Sequence, residues 1–209
     1  VEEGILDDSV VMDPVRVPER IGLSPVGLAL LADLGYRVAG FEDARIATIP
    51  ALSGPGDDNL IGTDADEVLE GLGGNDSIRG RGGDDILRSE DGTDYLYGGD
   101  GNDRLYGGGG YNVLYGDAGE DVLVGQGDTD YLKGGDDGDT LIGGSGYSVL
   151  EGEGGDDILV GQGGQTFLAG GDGVDTFIVR DLGGYTQIED FAFGSESLYL
   201  EIAGDVTLE

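Results

Sequence analysis

A repeat of nine residues is the feature that most constrains how this chain can fold. From Ser53 to Ile178 the sequence divides into 14 consecutive units without an insertion. The first position is glycine in twelve units, and the sixth position is acidic in eleven. The eighth position is always large and apolar: Leu60, Leu69, Ile78, Leu87, Leu96, Leu105, Leu114, Leu123, Leu132, Leu141, Leu150, Leu159, Leu168 and Phe177. A register held this long indicates a repeat architecture.

The spacing within a unit predicts one short strand and one tight turn. In Arg104-Leu105-Tyr106, a period of two directs the middle side chain to one face and its flanks to the other. The glycine-rich residues before the strand permit positive φ and can reverse the chain. Two units then form a coil of 18 residues, and seven coils stack about 4.8 Å apart. We therefore predict an all-β parallel β-roll, a right-handed β-helix solenoid, over residues 53–178.

A core only one residue wide per strand does not offset the ordering entropy of about 1–2 kcal/mol per residue. Sixth-position carboxylates on successive coils lie about 5 Å apart, where each pair repels by roughly 3 kcal/mol at an effective dielectric of 20. A divalent cation between coils would turn this repulsion into attraction. Calcium suits such a site because it accepts six to eight oxygen ligands in flexible geometry. The chain has no histidine and no cysteine, so zinc and copper lack their preferred ligands.

Alternate units stack on the same side, so the sixth-position residues form two columns. The even column contains Glu67, Asp85, Asp103, Asp121, Asp139, Asp157 and Asp175. The odd column contains Asp58, Asp76, Asp94, Asn112, Asp130, Ser148 and Thr166. We expect about five or six ions along the even column and about two strong sites near Asp58, Asp76 and Asp94. From Asn112 onward, the gaps are expected to be weak sites or empty, with side-chain hydrogen bonds and tyrosine stacking as the replacement for ions.

The units GGDGNDRLY (98–106) and GGDGVDTFI (170–178) resemble the G-G-x-G-x-D-x-U-x nonapeptide of RTX proteins. The resemblance implies a calcium-binding β-roll of a secreted bacterial protein that folds on extracellular calcium after type I secretion. It implies about eight bound Ca²⁺ ions, held by sixth-position acids and by loop carbonyls near the second and fourth positions. The side-chain ligands would be Asp58, Glu67, Asp76, Asp85, Asp94, Asp103, Asp121, Asp130, Asp139, Asp157 and Asp175. The carbonyl ligands would be Gly83, Gly99, Gly101, Gly119, Gly135, Gly155, Gly171 and Gly173.

Residues 1–52 lack the repeat and form a separate N-terminal flank. Ser24 and Pro25 form a helix start, and apolar residues at helical spacing predict one helix over about 25–34. The stretches SVVMDP and LSPVGLALLADLGYRV resemble the end of a secreted metzincin, serralysin-like catalytic domain, with Met12 as the turn methionine. The zinc motif H-E-x-x-H is absent, so this chain is not expected to be an enzyme. The alternative is an ordinary capping helix, with Met12 as a core residue.

Residues 179–209 are expected to cap the other end of the roll. The segment IEDFAFGSESLYLEI (188–202) alternates apolar and polar residues, which is typical of a strand pair. Solenoids need such caps because the last coil exposes its core. The segment also resembles the I-x-D-F-x-x-G-x-D-x-L-x-L stretch that follows many RTX rolls, with Glu196 at the usual aspartate position.

The net charge of −34 argues against nucleic acid and anionic membranes as partners and favours cations. No apolar run approaches the roughly 20 residues of a membrane span. The RTX resemblance implies a secreted, extracellular or cell-surface location. Acids at the fifth position, such as Asp57, Asp66, Asp84 and Asp156, are interpreted mostly as solvated charges. The expected partners besides calcium are a neighbouring catalytic domain, a cell-surface glycan or a protein.

An alternative function is carbohydrate or protein binding through an outer sheet face rich in tyrosine. Its side chains include Tyr95, Tyr97, Tyr115 and Tyr131. An ice-binding or adhesin roll is disfavoured, because such a surface needs a regular threonine ladder and only Thr93 and Thr129 recur in one column.

Overall fold

The computed structural model describes residues 54–181 and 184–202, and within them the fold consists of strands with no helix. The predicted all-β parallel roll is confirmed. The helix predicted at 25–34 and the metzincin-like stretch around Met12 lie outside the described residues. In the described part, no helix is long and apolar enough to cross a membrane.

Sixteen strands follow one another along the chain. They are β1 (Asn59–Ile61), β2 (Val68–Glu70), β3 (Ser77–Gly82), β4 (Ile86–Arg88), β5 (Asp91–Asp100), β6 (Arg104–Tyr106), β7 (Gly109–Ala118), β8 (Val122–Val124), β9 (Thr129–Asp136), β10 (Thr140–Ile142), β11 (Tyr147–Gly154), β12 (Ile158–Gly161), β13 (Gln165–Asp172), β14 (Thr176–Asp181), β15 (Tyr185–Ile188) and β16 (Ser197–Ile202). Each of the 14 units supplies one of the strands β1 to β14.

The odd-numbered strands form one eight-stranded parallel sheet, the odd sheet, and the even-numbered strands form the other, the even sheet. Neighbours within a sheet are one coil apart in sequence: Leu60 lies opposite Ile78, and Leu69 lies opposite Leu87. Two consecutive strands therefore make one coil of the predicted 18 residues. We number the coils from the N-terminal end, so that coil 1 contains β1 and β2.

The C-terminal strands extend the roll by an eighth coil, so they differ from the strand pair expected within 188–202. Strand β15 pairs in parallel with β13, and β16 pairs in parallel with β14. The two strands thus lie in different sheets and do not pair with each other. Ile188 lies opposite Leu168 and packs against the core, whereas Leu198, opposite Phe177, is 42% exposed.

The eighth-position side chains form the core, as predicted. All fourteen are at most 7% exposed and constitute one continuous hydrophobic cluster. At the C-terminal end the Phe191 ring packs edge-on against Phe177, with ring centroids 5.9 Å apart. Because the core fixes the two sheets, the turns between consecutive strands lie along the two edges of the roll.

The turns adopt a left-handed backbone at the second and fourth positions of most units. Gly101 has φ 129° and Gly119 has φ 120°, which glycine adopts without steric cost. Arg81, Asp117 and Glu153 occupy second positions and also have positive φ, between 76° and 88°. Stacking on the neighbouring coils therefore imposes this turn even where a side chain opposes it.

Candidate metal centre

The acids of the even column are buried and linked to one another along the roll. Six are at most 2% exposed: Asp85, Asp103, Asp121, Asp139, Asp157 and Asp175. The backbone N–H of Asp85 donates to Oδ1 of Asp103 at 2.7 Å, one coil further on, and that of Asp103 donates to Asp121 at 2.7 Å. The same bond recurs up to Asp175. One oxygen of each buried carboxylate is therefore already used by the backbone.

The other oxygen of each of these six carboxylates has no hydrogen-bond partner in the protein and is shielded from solvent. Burying an ionised oxygen without a partner costs several kcal/mol, so such atoms are rare in proteins and call for a ligand. Here the same unpaired atom recurs at the same place in six successive coils. This regularity indicates a row of cation sites.

Burial raises the pKa of these carboxyl groups when no cation is present. The pKa of Asp121 is raised to about 7 and that of Asp139 to about 8, and the charges of neighbouring acids add to the desolvation. Burial likewise raises the pKa of Asp85 and Asp157 to about 6. A cation would lower these pKa values again, because positive charge near a carboxylate favours its ionised form.

The first-position glycines leave the space that such a cation needs. A Cβ atom added to Gly98 would overlap Oδ2 of Asp103 and lie 2.7 Å from the carbonyl oxygen of Gly116. At Gly116 it would overlap Oδ2 of Asp121 and lie 2.6 Å from the carbonyl oxygen of Gly134. The φ of these glycines is not positive, so space, and not backbone conformation, requires glycine here. The unpaired carboxylate oxygen and a carbonyl of the next coil thus face one common cavity.

Sequence reasoning missed these first-position carbonyls as candidate ligands. They belong to Gly80, Gly98, Gly116, Gly134, Gly152 and Gly170. The available signal was the glycine found at this position in twelve of 14 units. The sequence analysis attributes the glycines to the backbone conformation of the turn, whereas the structure shows that the first-position glycine leaves room for the cavity.

The predicted carbonyl ligands lie in stacked rows at the same turns. All eight glycines have positive φ: Gly83, Gly99, Gly101, Gly119, Gly135, Gly155, Gly171 and Gly173. The carbonyl oxygen of Gly83 faces Gly101, that of Gly101 faces Gly119, and that of Gly155 faces Gly173. Their coordination of an ion stays a prediction.

The odd column follows the same pattern only in its N-terminal part. The backbone N–H of Asp58 donates to Oδ1 of Asp76, and that of Asp76 donates to Oδ1 of Asp94, both at 2.9 Å. Oδ2 of Asp76 and Oδ2 of Asp94 are buried without a protein partner. These two acids therefore present the same kind of oxygen as the even column.

Asp130 is buried in the odd column but is surrounded by protein donors. Its Oδ1 accepts bonds from Nδ2 of Asn112 at 3.0 Å and from the N–H of Gly127 at 3.2 Å. Its Oδ2 accepts a bond from the N–H of Gly144 at 3.1 Å. The N–H of Gly144 also lies 3.1 Å from Oγ of Ser148. Burial raises the pKa of Asp130, and the three donors to its carboxylate act in the opposite direction.

Both ends of the even column carry a glutamate that bonds to its own loop. Oε2 of Glu67 accepts the N–H of Thr63 at 2.7 Å, and Oε1 accepts the Thr63 hydroxyl at 2.6 Å. Glu196 precedes Ser197, which lies opposite Thr176, so it continues the column beyond Asp175. Its Oε2 accepts the N–H of Ala192 at 2.6 Å. The longer side chain thus reaches a donor that the aspartates do not.

The fifth-position acids, interpreted from sequence as solvated charges, also have a structural role. Oδ1 of Asp66 accepts the N–H of Asp84 at 2.9 Å, and Oδ1 of Asp84 accepts the N–H of Asn102 at 2.9 Å. Asp57 and Asp156 accept the corresponding N–H groups of Asn75 and Val174. These exposed side chains continue the hydrogen-bonded ladder outside the sheet, which their loop position alone did not reveal.

The donor set fits calcium. Nowhere in the described residues do three or more His, Cys, Asp or Glu side chains converge on one point, but backbone carbonyl oxygens lie close to the unpaired carboxylate oxygens. Carboxylate and carbonyl oxygens from two stacked turns are the hard ligands that calcium prefers, and its flexible coordination tolerates such a mixed set.

Comparison with known families agrees with this chemistry. The model of the RTX calcium-binding nonapeptide repeat (4 copies) matches residues 61–96, 97–132 and 133–168, which together make up just over half of the chain. No curated protein matched the chain significantly. The matched residues contain the buried aspartates of the even column from Asp85 to Asp157 together with their glycine turns. The chain therefore belongs to the RTX calcium-binding repeat family, and its roll is a calcium-binding module.

Proposed function

We propose that calcium controls the folding of this module: the repeats stay unfolded when calcium is scarce and form the roll at the higher calcium concentrations found outside cells. The observation that carries the proposal is the set of buried carboxylate oxygens without a protein partner. They belong to Asp76, Asp85, Asp94, Asp103, Asp121, Asp139, Asp157 and Asp175. Calcium would supply the positive charge that lets these carboxylates stay ionised and buried.

The chain itself prepares each site. The backbone N–H of one coil fixes Oδ1 of the next acid, which orients Oδ2 toward the cavity beside the first-position glycine. The first-position carbonyl of the following coil faces that same cavity. Without a cation, successive buried carboxylates repel one another, and the narrow core does not compensate. Ion binding and coil stacking therefore depend on each other.

The distribution of the unpaired oxygens supports about eight ions, one for each oxygen. Six unpaired carboxylate oxygens lie in the even column and two lie in the odd column, where the amide Oδ1 of Asn112 is also buried without a protein partner. Both numbers agree with the distribution expected from the sequence, and the exact ligand set remains part of the proposal.

Far-ultraviolet circular dichroism tests the proposal. In EDTA the chain should give a coil-like spectrum, and millimolar CaCl₂ should convert it to a β-rich one. MgCl₂ at the same concentration should act poorly as a control, because magnesium requires a tighter octahedral site and dehydrates reluctantly. A chain that is already fully β-rich in EDTA would exclude calcium-controlled folding.

We also propose that this folding step follows type I secretion and that the roll stabilises or attaches a neighbouring protease-like domain. Family membership supports secretion, because RTX repeats are typical of extracellular proteins. The resemblance of SVVMDP and LSPVGLALLADLGYRV to the end of a metzincin domain supports the neighbour. Export through a type I transporter that is unaffected by deletion of residues 179–209 would argue against a secretion role of that segment.

A second candidate function is binding of a glycan through the outer face of the odd sheet. The favouring observation is a depression of about 320 Å³ lined by Tyr95, Tyr111, Tyr115 and Tyr131. A volume of this size is at the lower end of small-ligand sites. Lack of retention of the calcium-bound protein on immobilised polysaccharides would remove this candidate.

A further inference from the structure

We propose that the odd column between coils 4 and 6 is closed by a hydrogen-bonded latch in place of calcium, and that Asp130 is an acceptor within this latch and not a calcium ligand. The latch consists of Asn112, Gly127, Asp130, Gly144 and Ser148. This inference rests on the proposed calcium binding, because it states where in the roll that binding stops.

The contacts of Asp130 carry the first part of the argument. Three N–H groups, from Asn112, Gly127 and Gly144, donate to its two oxygens at 3.0–3.2 Å. Hydrogen bonds to a charged acceptor are about twice as strong as neutral ones, so these donors can stabilise the buried carboxylate themselves. Their positive ends point at the carboxylate from several sides and would repel a cation.

The space around Asp130 carries the second part. In the even column, a Cβ at the first-position glycine would meet two oxygens, as at Gly116. In the latch, a Cβ at the third-position Gly127 would lie 2.6 Å from Nδ2 of Asn112, 2.6 Å from the carbonyl oxygen of Gly110 and 2.8 Å from Oδ1 of Asp130. A nitrogen donor therefore shares the space beside this carboxylate, whereas the even-column cavity at Gly116 presents oxygens, which calcium requires.

The neighbours of Asp130 within the column are neutral. Asn112 lies in coil 4 and Ser148 in coil 6, directly on either side of Asp130 in the sheet register. Every aspartate with an unpaired buried oxygen has another acid in at least one adjacent coil of its column, whereas Asp130 has none. In coil 7 the hydroxyl of Thr166 donates to the carbonyl of Gly163 at 3.0 Å, so the neutral pattern continues.

An aromatic row accompanies the latch on the adjacent odd sheet. It contains Tyr111, Tyr131, Tyr147, Phe167 and Tyr185, with successive ring centroids 5.6, 6.0, 5.7 and 6.1 Å apart. The row begins in coil 4, where Asn112 is the first neutral residue of the odd column, and runs to coil 8. Ring packing thus joins the same coils that the odd column does not join through ions.

A matched pair of isosteric substitutions tests the inference: Asp94→Asn and Asp130→Asn in the full chain. Bound calcium is counted by equilibrium dialysis against CaCl₂ followed by elemental analysis, and folding is checked by circular dichroism. Asp94→Asn should lose at least about one ion per chain, because a site needs ligand charge. Asp130→Asn should bind as many ions as the wild type and melt at a lower temperature. Loss of an ion in both variants would overturn the inference.

The wild-type protein provides a test that does not depend on the folding of either variant. Anomalous difference density from crystals grown in CaCl₂ should appear beside Asp76, Asp94 and the even column and be absent beside Asp130. An ion within coordination distance of Asp130 would disprove the latch while leaving calcium-controlled folding intact. A protein without ions in either column would instead disprove the proposed function.

Discussion

Asp121 and Asp130 occupy the same position in consecutive units, and both are buried, but their carboxylates have different partners. Asp121 keeps Oδ2 unpaired beside a glycine cavity, whereas Asp130 accepts three N–H donors. The difference arises one coil away, since Asp121 stacks between Asp103 and Asp139 and Asp130 stacks between Asn112 and Ser148. The chemistry of a turn in this roll is therefore set by the residues 18 positions before and after it.

The largest expected effect comes from filling one cavity of the even column. Gly116→Ala should abolish calcium-induced folding at moderate calcium, because its Cβ would displace Oδ2 of Asp121 and crowd the Gly134 carbonyl. Gly161→Ala is the matched control at the first position of an odd unit, where the nearest atom is Cγ2 of Thr166 at 3.2 Å. Calcium titrations followed by circular dichroism would compare the two. Equal damage by both substitutions would mean that the columns do not differ as described.

A pH titration in EDTA should show the next largest effect. The pKa values of Asp85, Asp121, Asp139 and Asp157 are raised from 3.8 to between about 6 and about 8 by burial. A carboxyl group whose pKa is raised on folding stabilises the folded state most at pH values below 3.8. This stabilisation is lost as the pH rises through the pKa of the folded state. The calcium-free chain should therefore contain more sheet at pH 5 than at pH 8.

In calcium, folding should depend on pH in the opposite direction, because the ion binds the deprotonated carboxylates. Acidification from pH 8 to pH 5 should then raise the calcium concentration needed for half-maximal folding. Circular dichroism across both series measures the two trends. A sheet signal in EDTA that increases with pH would contradict the buried environment described for the even column.

The smallest of these effects concerns the aromatic row beside the latch. Tyr131→Ala removes ring contacts to Tyr111 and Tyr147 and should lower the stability of the calcium-bound roll by about 1–3 kcal/mol. Tyr199→Ala, in the even sheet where this ring is 58% exposed, should change stability much less. Thermal unfolding in CaCl₂ compares the two. If the aromatic row does not stabilise the roll, the two variants should have equal melting temperatures.

The period of the apolar residues was sufficient to predict the roll. Leu105 and its counterparts allow one strand per unit, and a single apolar side chain every nine residues is typical of a parallel β-helix. The same period fails in the last coil, because Tyr185 lies 20 residues after its partner Gln165 and Ser197 lies 21 after Thr176. Two extra residues precede the pairing of β15 and one more lies between β15 and β16, so sequence alone indicated strands but not their sheets.

The candidate site was predictable as far as it depends on side-chain type. The acids of the even column stand out by charge and spacing. The donors to Asp130 do not, because two are backbone N–H groups and the third depends on how the Asn112 amide is oriented. The first-position carbonyls were missed for a related reason: a glycine required for space and one required for a left-handed turn look identical in sequence.

The glutamates at the two ends of the even column also bear on how the roll could lengthen. Glu67 accepts two hydrogen bonds from Thr63 and Glu196 accepts one from Ala192, so the carboxylate at each end bonds within its own loop. Between Asp121 and Asp139, by contrast, an inserted pair of units with aspartate at the sixth position would meet a matching acid on each side. Internal duplication of such units would therefore lengthen the roll and add ion sites to the middle of the even column.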